Sequence, residues 1–214
     1  MKLFSYDSPL SQVLLKLTWS CYLNLLWLLC SLPVFTMGAS TTALYAVTLK
    51  IVQEKEGNLT AQFFRAFREN FRQATVLWLI LLGIGSLLAG DGYILFHLFR
   101  SSQGFASVLW TFVSALVIAA SLAYGIVLLY VFPLTASVVN TNLAMLKNAF
   151  FIGTHYLFCT ILTAAIHFAM FYTVVAVYTP VLLFGEGLCA LLSSYLFSGV
   201  IRACASPPME GENS

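Results

Sequence analysis

The chain has 214 residues, 60% of them hydrophobic and only 8% charged, with a formal net charge of +2. Soluble domains are about 25% charged, so this chain has too little polar surface for water alone to solvate it. Lipid is the expected solvent for much of its length. A near-neutral balance also excludes nucleic acid or an acidic polymer as an electrostatic partner. About 20 apolar residues cross roughly 30 Å of hydrocarbon. The apolar runs are continuous rather than alternating at period two, which excludes a transmembrane barrel. The predicted class is therefore all-α: a polytopic transmembrane helical bundle of about six spans, with five as the alternative, and two short interfacial amphipathic helices. A single transmembrane domain is expected over residues 1–206, followed by a disordered polar tail at 207–214.

The first predicted span covers residues 12–32 and contains Trp19, Tyr22, Asn24 and Trp27. Pro33 ends it, because proline lacks the backbone donor and clashes with the preceding turn. The run is long and has no small-x-small cleavage site, so it is expected to be retained rather than processed. Residues 36–50 form a predicted second span, short for a full crossing, with Thr36 expected to cap it. Gly38, Thr42 and Ala46 recur every fourth residue on that helix. Such small-residue stripes let helix backbones approach closely in a membrane, and Asn24 is the polar counterpart, suited to hydrogen bonding between helices.

Residues 53–61 are the most polar interior stretch, and an amphipathic segment follows at 62–73. At about 100° per residue, Phe63, Phe64, Phe67 and Phe71 gather on one face, and Arg65, Arg68 and Arg72 flank it. The expected placement is interfacial, with rings in the acyl boundary and guanidiniums among lipid phosphates. A third span is predicted at 74–99, a fourth at 105–132 ending at Pro133, and a second interfacial helix at 140–150. Fifth and sixth spans follow at 155–178 and 181–203. The basic residues Lys2, Lys16, Lys50, Lys55, Arg65, Arg68, Arg72, Lys147 and Arg202 then share one side and leave Arg100 on the other. By the positive-inside rule both termini are expected to be cytoplasmic. A five-span chain, with residues 34–52 lying flat, would put the N-terminus outside together with Lys2 and Lys16. The faint likeness between residues 33–40 and 132–137 is too short to establish an internal repeat.

Candidate chemistry is sparse. Asp91, in Ala89-Gly-Asp-Gly-Tyr93, is the acid inside a predicted span. Intramembrane carboxylates are functional candidates, but the flanking glycines and a position near the span's end also suit a headgroup-level role. Glu186, in Phe184-Gly-Glu-Gly187, is placed in an external turn and read as solvated. His97, His155 and His167 have no metal-ligand spacing, and the five cysteines form no CxxC pair, so neither a metal site nor a disulfide framework is expected. No phosphate-binding loop, nucleophile elbow or zinc-protease motif occurs. The expectation is a non-enzymatic protein without a cofactor.

Three blocks carry a resemblance to a known family: Asn24-Leu-Leu-Trp-Leu-Leu29, Leu32-Pro-Val-Phe-Thr-Met-Gly-Ala-Ser-Thr-Thr-Ala-Leu-Tyr45, and Phe63-Phe-Arg-Ala-Phe-Arg-Glu-Asn-Phe-Arg-Gln-Ala74. Val131-Phe-Pro-Leu134 and Leu146-Lys-Asn-Ala-Phe150 add to it. The chain resembles the YesL-like family of small bacterial membrane proteins, often encoded beside carbohydrate ABC importers and sensor kinases. The resemblance implies a multi-pass protein of the bacterial cytoplasmic membrane, partnered by lipid and by importer subunits or a sensor kinase, with an accessory role in sugar uptake. It supplies no catalytic residues. The alternative is a small permease-like transporter. Residues 143–153 hold the place of an ATPase-docking loop but lack its glutamate, which counts against that alternative.

Overall fold

The computed structural model of the protein describes residues 9–55, 57–101 and 105–205. Lys2 and the polar tail at 207–214 lie outside the described residues. The chain forms an all-α bundle, as its composition requires. Its helices are α1 (Pro9–Ser31), α2 (Met37–Val52), α3 (Leu59–Ser101), α4 (Phe105–Ser137), α5 (Asn142–His155), α6 (Leu157–Tyr172) and α7 (Leu182–Ala205). A π-helical stretch, Thr173–Val177, and a tight turn, Thr179–Val181, join α6 to α7. Among the described residues, five helical segments are long and apolar enough to cross a membrane: Ser11–Ser31, Leu59–His97, Val108–Ser137, Leu157–Val177 and Thr179–Ile201.

Pro33 stops α1, and the chain reverses through Val34–Thr36. Thr36 does not cap α2 through its side chain. Its hydroxyl lies 2.6 Å from the Cys30 carbonyl and 2.7 Å from that of Pro33, so it serves the orphan carbonyls at the end of α1 instead. Trp27 Nε1 donates to Thr41 Oγ1 at 3.0 Å and clips α2 back onto α1.

With 16 residues, α2 is about 24 Å long, short of a full bilayer crossing. It forms the middle of the bundle: Ala39, Ala43, Leu44, Val47 and Ile51 are fully buried, and α1, α3, α4 and α7 pack around it. Gly38 and Thr42 are buried and Ala46 is half-buried. A Cβ on Gly38 would lie 2.5 Å from the Ala74 carbonyl oxygen and 2.6 Å from Trp78 Cβ, so hydrogen alone fits where α2 meets α3.

Asn58 Oδ1 accepts the Ala61 N–H at 3.1 Å and starts α3, as an N-cap does. This helix corrects two expectations. The amphipathic segment and the third span are one unbroken helix of 43 residues, about 64 Å long and twice the hydrocarbon thickness. No proline or glycine falls between Leu59 and Leu82, so the change of environment near residue 74 has no backbone consequence. Nor do the four phenylalanines share one exposure. Phe63 is fully buried in the core and Phe67 half-buried, while Phe64, Phe71, Arg65, Arg68 and Arg72 are exposed. The Phe63 ring therefore faces protein, not the acyl boundary. It stacks on Phe67 with centroids 6.5 Å apart, and Phe67 in turn meets Phe71 at 5.4 Å.

A further correction concerns α4, which runs through Pro133 to Ser137 instead of ending there. Proline inside a helix is tolerated in membrane bundles, where neighbours re-satisfy the freed backbone groups, and Pro133 is buried. Tyr130, also fully buried, packs edge-on against Phe197 at 4.9 Å and shares a 2.9 Å hydrogen bond with Thr160. Replacing Tyr130 by phenylalanine keeps the ring and removes that bond. We expect a loss of about 1 kcal/mol in reversible detergent unfolding; no loss would mean that Thr160, which also reaches the Gly153 carbonyl at 2.7 Å, satisfies itself.

Away from the bundle, α3 and α4 form an arm. Between residues 82 and 97 only Leu95 is buried on α3, and α4 has no buried residue from 108 to 129. Leu87, Tyr93, Phe96, Phe112, Leu116 and Leu122 are all more than half exposed. Between the two helices lies an open apolar cleft of about 710 Å³, lined by residues that include Gly92, Leu95, Ser114 and Ala115.

Candidate functional site: a polar cluster between α2, α6 and α7

The residues that carry ionisable chemistry inside the bundle come from three helices. From α2 comes Tyr45, 3% exposed, with its ring held edge-on by Phe197 at 6.0 Å. His167 and, one turn earlier, Thr163 come from α6. Glu186, Cys189 and Ser193 belong to α7 at positions i, i+3 and i+7, which is one face of a helix.

Hydrogen bonding fixes the imidazole. His167 Nδ1 lies 2.9 Å from the Thr163 carbonyl oxygen. A carbonyl only accepts, so Nδ1 carries a proton. Nε2 is left facing the Tyr45 hydroxyl at 3.4 Å, and in the neutral ring it is the acceptor. Across the α6–α7 contact, Cys189 Sγ lies 3.9 Å from the Ile166 carbonyl oxygen. Thr163 Oγ1 is fully buried with no hydrogen-bond partner.

A second device positions the start of α7. Asn24, fully buried on α1, donates from Nδ2 to the Leu182 carbonyl at 3.0 Å and accepts the Gly187 N–H at Oδ1 at 2.7 Å. Gly187 permits this approach: a Cβ there would sit 2.3 Å from the Ser20 carbonyl oxygen. Asn24 thus holds the turn of α7 that carries Glu186. Further along, Lys16 reaches Tyr195 Oη at 3.3 Å and lies 3.9 Å from Glu54. Its partners are accounted for away from the cluster, and an exposed pair of this kind contributes little stability.

The structure treats the two candidate acids differently from the sequence reading. Asp91 lies within α3 on the arm and is exposed. Its flanking glycines stay helical, at about 1 kcal/mol each relative to alanine. Glu186 is not in an external turn; it lies inside α7, half-buried, within the segment Thr179–Ile201. The i, i+3, i+7 spacing of Glu186, Cys189 and Ser193 was the available signal. It was hidden because Gly185 and Gly187 read as turn residues when nothing shows what they pack against. Phe63, Arg65, Arg68 and Arg72 are remote from the cluster on the first turns of α3, where Phe64, Arg65, Arg68 and Glu69 border a shallow surface depression. Among the described residues, no three His, Cys, Asp or Glu side chains converge as a metal-binding group.

Comparison with curated proteins and with solved structures gives no match. Residues 21–91, from α1 through the first three-quarters of α3, match the family described as a protein of unknown function, DUF624.

Proposed function

We propose that this protein is a non-enzymatic accessory subunit of the bacterial cytoplasmic membrane that binds other membrane proteins, with a carbohydrate ABC importer or its sensor kinase as the partner class. The observation that carries the reading is the α3–α4 arm. It extends two apolar helices away from the bundle, and small side chains at Gly92, Ser114 and Ala115 border the cleft between them. Small residues are what a partner helix needs for close approach in lipid, where apolar surface alone gives no preference for protein over acyl chains. The exposed arginines at 65, 68 and 72 supply a basic face suited to the cytoplasmic leaflet. The blocks that resemble the YesL-like family at 24–29, 32–45 and 63–74 all fall within the matched segment 21–91.

The test is purification from native membranes in mild detergent. Importer permease, its ATPase or a sensor kinase should co-purify with the wild type. Ala115→Phe, which fills the cleft, should reduce that recovery at least about tenfold, equivalent to ~1.4 kcal/mol of association free energy, while leaving the helical content unchanged. Recovery of the protein alone, or recovery indifferent to Ala115→Phe, sinks the arm as the docking element.

A second reading, a small transporter that moves solute itself, is favoured by one observation: polar side chains of α2 and α6, Tyr45 and His167, meet inside the bundle at 3.4 Å. Uptake by proteoliposomes of the purified protein would support it, and silence with Glu186→Gln indistinguishable from wild type would remove it.

A further inference from the structure

The start of α3 divides its aromatic residues between the bundle and the surroundings. Phe63 is buried and Phe67 half-buried, whereas Phe64, Phe71, Arg65, Arg68 and Arg72 are exposed. Ala61, Phe64, Arg65 and Arg68 stand at i, i+3, i+4 and i+7, which is one face of a helix. Together with Glu69 they border the surface depression, and Ala61, the smallest of them, leaves the space between the larger side chains. The field there is positive. Between residues 59 and 73 the charged side chains are three arginines and Glu69. Helix spacing would let Glu69 pair with Arg65 or Arg72, yet among the described residues none of the three arginines takes part in an ion pair or a hydrogen bond. The depression also overlies the first turn of α3, which has no acidic residue. The positive end of the helix dipole therefore adds to the same field.

We propose that this depression is a binding site for one anionic phospholipid, its phosphate held by Arg65 and Arg68 over Ala61 and its acyl chain laid along α3. A guanidinium meets phosphate oxygens bidentately, and two of them one turn apart grip a single phosphate from two sides. Glu69 lies on the side of Arg65 away from Phe64, which confines the positive area to the space between Arg65 and Arg68. Lipid is the occupant, rather than a soluble anion, because the site does not end at the arginines. Phe64, Phe71 and Leu82 lie at i, i+7 and i+18, positions that return to the same side of a helix, and all three are exposed. From Phe71 to Leu82 this apolar stripe is about 16 Å long, the depth of one leaflet in a hydrocarbon core of roughly 30 Å. A positive depression opening onto an apolar stripe of that length matches a headgroup and a chain in one molecule. The site rests on the basic face lying at the cytoplasmic leaflet and is independent of what docks on the arm.

The test reconstitutes the full chain in nanodiscs of phosphatidylcholine containing phosphatidylglycerol and counts the lipids retained on the protein by native mass spectrometry. Wild type should retain one phosphatidylglycerol, with a preference over phosphatidylcholine of about tenfold or more. Two variants at exposed positions, which leave the core intact, should each abolish that preference. Arg65→Gln combined with Arg68→Gln removes the charge; Ala61→Trp keeps every charge and fills the depression. Lys147→Gln, an exposed basic residue on α5, should leave the preference unchanged. Absence of a preference in wild type overturns the proposal. A loss with the arginine variant but not with Ala61→Trp also overturns it, because attraction would then be diffuse, and so does an equal loss with Lys147→Gln. Millimolar inorganic phosphate should not displace the lipid; displacement by phosphate alone would make the occupant a free anion and overturn the lipid. These readouts need no partner protein, so their failure is separate from a failure of co-purification at the arm.

Discussion

Substituting valine for Gly38 should unfold the contact between α2 and α3 and destabilise the whole bundle. Overpacking a well-filled core ordinarily costs about 1–3 kcal/mol. The upper end applies here because the first atom met is not a movable side-chain tip. It is the Ala74 carbonyl oxygen, 2.5 Å from the ideal Cβ, with Trp78 Cβ at 2.6 Å and Phe132 at 3.1 Å. Relief requires α3 to move bodily. That movement would also pull Trp78 Nε1 from the Val34 carbonyl, which it meets at 2.7 Å, and so loosen the turn between α1 and α2. Gly38→Ala should already cost about 1 kcal/mol or more, and Gly38→Val about 3 kcal/mol or more, read as a lowered midpoint in detergent unfolding. Gly90 and Gly125 provide the comparison, because nothing lies within 4 Å of a Cβ at either. Alanine there should be neutral or stabilising by up to about 1 kcal/mol, the helix propensity difference. Equal effects at Gly38 and Gly90 would refute close packing as the reason for Gly38.

Asn24→Leu is the second large effect. The change leaves the Leu182 carbonyl without its side-chain donor and the Gly187 N–H without its acceptor, both bonds being to a side chain that is fully buried. Polar contacts between membrane helices average only about 0.6 kcal/mol, which would put two of them near 1 kcal/mol. Leaving a buried group unsatisfied costs about 1–3 kcal/mol, and leucine branches into the space where Gly187 approaches Ser20. We therefore expect a loss of about 2–4 kcal/mol, with Asn24→Asp milder because the acceptor for Gly187 is kept. Thermal denaturation monitored by circular dichroism measures both. A loss for Asn24→Leu no greater than about 1 kcal/mol would mean that α7 finds another seat without Asn24.

These effects separate what is local in this protein from what is not. Hydropathy and the shortage of charge are summed along the chain, so an all-α membrane bundle, the stop at Pro33 and the short, small-residue character of α2 are legible from residue order alone. The continuity of α3 through residue 74 is not. A helix carries the same backbone hydrogen bonds in headgroups and in hydrocarbon, so a change in polarity gives no break. The run of α4 through Pro133 is a tertiary outcome for a related reason: the buried surroundings of that residue accommodate what would end an isolated helix. Phe63 and Phe64 are adjacent and chemically identical, yet one is fully buried and the other 45% exposed, because α2 and α1 cover only one side of α3.

The acids make the same point most sharply. Sequence order singles out Asp91 as the acid within an apolar run and sets Glu186 between two glycines at a turn. Only the packing of α7 against α1, α2 and α6 reverses their roles. It turns Gly187 into a contact surface for Ser20 and makes Glu186 part of a continuous helix, while Tyr45 and His167, far apart in the chain, meet at 3.4 Å. The sequence by itself determined the solvent, the helices and the inventory of ionisable groups, since each depends on nearby residues. Which of those groups meet was decided by the tertiary structure, because a charge's surroundings are set by helices far away in sequence.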